Sequence, residues 1–102
     1  MASSGSNQIK VSESDLRERY NTSGIPGYLV SGFYQLRAVK SRPASVAVNQ
    51  PVGTLSVIYD VLDQHGAIIA KVHAFVLPNG QLGASGKYDP KSLKDGNVRY
   101  FV

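Results

Sequence analysis

Two alternating apolar segments joined by a short turn constrain the fold more than any other feature of the chain. In residues 54–62, Leu55, Val57, Tyr59 and Val61 alternate with Ser56, Ile58, Asp60 and Leu62. In residues 67–77, Ile68, Ala70, Val72, Ala74 and Val76 share one parity, while Ile69, Lys71, His73 and Phe75 take the other. A period of two with one apolar parity is the pattern of a half-buried strand. Asp63, Gln64, His65 and Gly66 between them form a hairpin turn, with the glycine supplying a positive φ. If Leu62 pairs with Ala67, then Val57 lies opposite Val72 and Tyr59 opposite Ala70, so the two apolar sides coincide. The other side then brings Ser56, Ile58 and Asp60 beside Ile69, Lys71 and His73.

The rest of the chain must cover that apolar side. With 102 residues it is expected to form a single domain, 1–102, with residues 1–8 disordered or loosely attached. An apolar fraction of 42% supports one core, and 18% charged residues is below the usual quarter, which points to partial covering by a second subunit. There is no cysteine and there are only two histidines, so no disulfide framework and no metal centre is expected. No apolar run approaches the length of a membrane span, and the first ten residues lack the apolar stretch of a secretory signal. These features lead to an expectation of a cytoplasmic protein without a cofactor.

Ser12 followed by Asp15 is an N-cap signature, and Leu16 and Tyr20 lie one helical turn apart, so a short helix begins near residue 13. Gly24 and Pro26-Gly27 are expected to end it in a turn. Tyr28, Val30, Tyr34, Leu36 and Ala38 share a parity, which predicts a bent strand over 28–40; Phe33, Leu36 and Lys40 also have helical spacing, and the competing reading is a helix over 33–40. Residues 41–51 read as a loop with a short edge segment around Val46 and Val48, and 81–84 as a short returning strand. Asp89-Pro90 reads as an N-cap followed by proline at the first helical position, predicting one helical turn over 90–94 before a terminal strand over 98–102. The expected fold is therefore α+β: an N-terminal helix, a mostly antiparallel meander of four or five strands, and one helical turn near the C-terminus. A small β-barrel is the alternative.

The segment from Gly80 to Lys91 holds three glycines, a proline and two lysines directly behind the second apolar strand. So much glycine makes ordering entropically costly, which marks either a plain connector or a place where backbone N–H groups meet a ligand. It is not a nucleotide-binding P-loop: Gly80 and Gly86 are one residue too far apart, and Tyr88 stands where a magnesium-binding Ser or Thr is needed. A looser anion nest fits better, with Ser85 and Gly86 offering hydrogen bonds, Lys87 and Lys91 charge, Tyr88 a packing face and His73 a polar wall. The function expected from these residues is a small non-catalytic binding or interaction module, a homodimer in preference to a monomer, that takes an anionic or small polar ligand. Two alternatives stand beside it. One is an enzyme using His73 as acid or base with Asp60 or Asp89. The other is a basic nucleic-acid binder, suggested by a net charge of +4 with aromatic residues among the cations. Ser56, His73 and Asp60 do not form a nucleophilic triad, because Asp60 falls two steps along the strand pair from the imidazole.

Overall fold

The strand–turn–strand unit lies inside one six-stranded sheet. The computed structural model describes residues 7–45, 49–83 and 86–102. Its elements are β1 (Asn7–Lys10), α1 (Glu13–Thr22), α2 (Ile25–Ser31), β2 (Gln35–Pro43), β3 (Leu55–Leu62), β4 (Ile68–Val76), β5 (Asp89–Asp95) and β6 (Val98–Phe101). The strand order is β1-β6-β5-β4-β3-β2. From β2 to β6 the sheet is an antiparallel meander, and β1 pairs with β6 in parallel. β1 and β2 form opposite edges, so the sheet is open and the barrel alternative does not hold.

Helix α1 forms for the reasons its sequence suggests. Ser12 Oγ accepts the Asp15 N–H at 3.1 Å, Glu13 and Asp15 occupy the first turn, and Arg19 bonds back to Asp15 at 3.2 Å. Leu16 and Tyr20 are buried and pack with Ile25, Val61, Ala70, Val72 and Leu93. This cluster is the core, and it lies on the side that Val57, Tyr59 and Val61 share with Ala70, Val72 and Ala74.

Four parts of the architecture differ from the sequence reading. The strand expected from Tyr28 is instead helix α2, and strand structure starts only at Gln35. Pro26 sits in the first turn of α2, where its missing N–H costs nothing, and Ile25 and Leu29, four apart, face the core. Val30, counted towards a strand side, is 91% exposed. The helical turn expected over 90–94 is strand β5: Pro90 is buried beside a bulge at the start of that strand, one of the places a sheet accepts proline. The returning strand over 81–84 reduces to a bridge between Val76 and Leu82. Asn7 and Gln8, within the stretch expected to be loose, pair with Val98 and Arg99. These changes give two helices and six strands among the described residues. The edge segment around Val46 and Val48 lies outside the described residues.

The β3–β4 register is shifted by two residues from the expected one. Val57 faces Ala74 and Tyr59 faces Val72, because the turn closes between Asp63 and Ala67 and Ile69 is bulged out of β4. A shift of two keeps the side chains from Ala70 to Val76 on their side of the sheet, whereas the bulge brings Ile69 to the core and pairs Ile68 with Leu62. Both helices pack on the core side, so the other face carries neither. At its centre Asp60 is buried, accepting from Arg37 Nη2 at 3.1 Å and Lys71 Nζ at 2.7 Å, which ties β2, β3 and β4 together. Burial alone would raise the Asp60 pKa; the hydrogen bonds and charges of Lys71 and Arg37 outweigh it and hold the carboxyl below its ordinary range.

Two outcomes follow. Leu16→Ala removes a fully buried side chain and lowers stability by about 2–5 kcal/mol in urea unfolding, whereas Val30→Ser stays within about 0.5 kcal/mol. The stability that Asp60 contributes is complete above about pH 4 and disappears as the pH falls through its lowered folded-state value. Asp60→Asn therefore flattens that acid limb, and it lowers neutral-pH stability by about 1–3 kcal/mol because the negative charge and one of the two accepting oxygens are lost.

Candidate functional site

The site arises where β4 and β5 part. Their pairing stops at His73 and Asp89. Beyond that point β4 is bonded by the returning chain, with the Gly83 N–H donating to the Phe75 carbonyl at 2.7 Å and the Leu77 N–H to the Gln81 carbonyl at 2.8 Å. β5 starts at Asp89, and a cleft of about 480 Å³ lies beside the parting. Helix α1 contributes Arg17, Tyr20 and Asn21 to its wall, β4 contributes His73, Ala74 and Phe75, and the Gly-rich segment contributes Gly83, Lys87 and Tyr88.

Two glycines shape this segment for different reasons. A Cβ on Gly83 would come within 2.6 Å of Gln50 Oε1 and 3.0 Å of Leu77 Cδ2, so any larger residue there must push those side-chain tips aside. Gly86 has φ +74 with open space around it, so its need is conformational. Its N–H donates to the Gly83 carbonyl at 2.9 Å.

Of the residues singled out in the sequence, His73, Lys87 and Tyr88 line one cleft. Lys91 lies beside them, with its ammonium on Asp89 at 3.1 Å, and Gly86 adjoins Lys87. Ser85 lies outside the described residues. Arg17, Tyr20 and Asn21 were not anticipated as site residues. They lie three and four positions apart on one flank of α1, and the docking of Leu16 and Tyr20 places that flank over the end of β4. The signal was present in the spacing of the helix but needed the docking angle to be read.

Tyr88 is held edge-on against Tyr59, with ring centroids 5.7 Å apart, which ties the loop to the core. Burial, with the neighbouring Tyr88 phenol adding to it, pushes the Tyr20 hydroxyl up to about 12, and the same causes raise Tyr59. Tyr20 therefore stays a neutral hydrogen-bond donor at physiological pH. His73 is half-buried, with Nε2 2.7 Å from Ser56 Oγ and its ring edge-on to Phe75 at 4.7 Å. Burial and the nearby Lys91 charge lower the His73 pKa, with Asp89 partly opposing them. The imidazole is neutral at pH 7.

The charges differ in their commitments. Asp89, the acid in the cleft, is neutralised by Lys91. Among the described residues Arg17 and Lys87 have no ion pair. A second cleft of about 350 Å³ between α1 and the β5–β6 end contains Arg19, but that guanidinium is stacked 4.0 Å above Tyr100 and bonded to Asp15. The Ser56–His73 pair has the contact of a nucleophile with its base, yet no carboxylate bonds the ring among the described residues, and Asp60 is held by Arg37 and Lys71. No group of His, Asp and Glu able to hold a metal is present among the described residues, and no described helix is long and apolar enough to cross a membrane. Comparison with protein-family models, with curated proteins and with solved structures finds no match, so the chemistry of the cleft has to be read from its own geometry.

The lowered His73 pKa has a measurable sign. Below about pH 6.5 the unfolded chain takes up a proton that the folded site resists, so stability falls as the pH drops from 7 towards 5. His73→Gln flattens the unfolding free energy over that interval and leaves the lower window belonging to Asp60 in place, as urea midpoints measured at successive pH values show.

Proposed function

We propose that the protein is a small non-catalytic binding module whose cleft between α1 and the parting of β4 and β5 takes an anionic small ligand. One observation carries this reading: two unpaired cations, Arg17 and Lys87, line the same cleft as the neutral donors Tyr20 and Asn21. A bound anion would gain charge-assisted hydrogen bonds there without first breaking an ion pair. His73 and Tyr88 supply ring surfaces on which a planar group of the ligand rests. The Ser56–His73 pair has no orienting acid among the described residues, and this favours binding over catalysis. The homodimer expected from the low charge content belongs to this reading as well. Its two-fold surface would lie away from the helix-free sheet face, where like charges would oppose each other.

Titration with inorganic phosphate, followed through backbone amide NMR shifts, tests the reading. Shifts are expected at Asn21, Lys87 and Tyr88, with affinity rising as the pH is lowered and His73 takes up a proton beside the anion. Arg17→Ala combined with Lys87→Ala weakens the binding about tenfold or more without altering the fold. If the shifts avoid these residues, or survive the double substitution, the cleft is not an anion site.

A further inference from the structure

The lysines and arginines are sorted by the sheet. The helix-free face is defined by the pairing of Arg37 with Asp60, of Lys40 with Ile58 and of Arg42 with Ser56. On β4 it carries Lys71, beside Asp60. Its other half carries Lys91 and Lys94 on β5, with Arg99 opposite Lys94 and Lys10 beside Phe101. Eight of the chain's eleven Lys and Arg residues thus lie on one face, against two of its seven acids, Asp60 and Asp89. Both of those acids are already bonded to lysine or arginine of the same face. The remaining surface holds three cations and five carboxylates, so the molecule is basic on one side and acidic on the other.

The face is more than charged. His73, Phe75 and Phe101 lie on it among the cations, each partly exposed. Apart from Lys71 on β4, which is committed to Asp60, the cations fall in two groups, one on edge strand β2 and one on β5, β6 and β1. From β2 to β5 is three strand spacings, roughly 14 Å. A single small anion cannot bridge that distance, whereas a chain of phosphates can. No helix or projecting ribbon is offered to a duplex groove from this flat surface, while partly exposed rings between cations are what unpaired bases stack on.

We infer that the helix-free sheet face is a docking surface for single-stranded nucleic acid, with the two cation groups holding the phosphate backbone and the rings between them stacking bases. A second copy of the chain is disfavoured on this face by its own like charge. The surface adjoins the cleft and shares His73, Phe75 and Asp89 with its wall, but neither Arg17 nor Lys87 takes part.

Fluorescence anisotropy of a labelled oligothymidylate about fifteen residues long, at low salt, is the test. Binding is expected with a steep salt dependence. Lys40→Gln with Arg42→Gln, and separately Lys94→Gln with Arg99→Gln, should each weaken it about tenfold and reduce the salt slope by about 1.4, for two phosphate contacts at about 0.7 each. Val30→Glu with Gln64→Glu makes the same change in net charge at exposed positions away from the face, and should change affinity less than twofold. Phe101→Leu should cost about fivefold with the salt slope unchanged, the signature of lost stacking. The inference is overturned by absence of binding, by a duplex of equal length binding as tightly, by polyglutamate or anionic vesicles competing equally well, or by the Val30/Gln64 variant losing as much as the face variants. Phosphate shifts at Asn21, Lys87 and Tyr88 are read separately, so the cleft and the sheet face succeed or fail independently.

Discussion

Burial of Leu16 and Tyr20 against Val61, Val72 and Leu93 decides nearly everything else in this molecule. A helix as short as α1 does not persist alone in water. It survives because its apolar side meets the apolar side of β3, β4 and β5, and the sheet in turn keeps that side from water. The choice of side has two consequences. It lays the outer flank of α1 over the point where β4 and β5 diverge, which closes the cleft, and it leaves the opposite face with no covering helix.

Irregularities in the ladders then do the fine placement. The bulge in β5 puts Pro90 inward while Lys91 stays beside Asp89 and near His73. The bulge in β2 at Val39 restores the parity of that strand, so that Arg37, Lys40 and Arg42 share a side despite their uneven spacing. A strict alternation would have turned either Arg37 or both of the others towards the core. Each extra residue therefore acts on charge placement, the property on which both binding surfaces depend.

The central hairpin was legible because its two segments alternate cleanly and flank an unambiguous turn. From Ala70 to Val76 its faces came out correctly even though its register was two residues off, since parity is insensitive to an even shift; Ile68 and Ile69, at the bulge, did not follow it. Helix α1 was legible from its cap and from the spacing of Leu16 and Tyr20. The errors fell where local rules conflict. Tyr28, Val30 and Tyr34 mimic a strand, while Ile25 and Leu29 have the helical spacing that prevails. Asp89-Pro90 is a good helix start, but the space between β4 and β6 requires a strand. At the cleft, the sequence pointed to His73, Lys87 and Tyr88. Arg17 could not be placed with them from its helical spacing alone, because it lies 56 residues before His73 and 70 before Lys87 and joins them only through the docking of its helix. Charge sorting was hidden for a similar reason: the two bulges had to be located before the parity of the cations could be known.

The parallel pairing of β1 with β6 bears on how the fold is reached during synthesis. Asn7 bonds to the carbonyl of Asn97, and Val11 to that of Phe101, so a segment made near the start waits for one made ninety residues later. On the ribosome, β2 to β5 can zip sequentially as each neighbour emerges, yet the strand that leads into α1 has no ladder to join until β6 is free. Annealing of the first strand therefore waits for β6 to emerge, and until it occurs the outer edge of β6 presents unpaired amides to any passing chain.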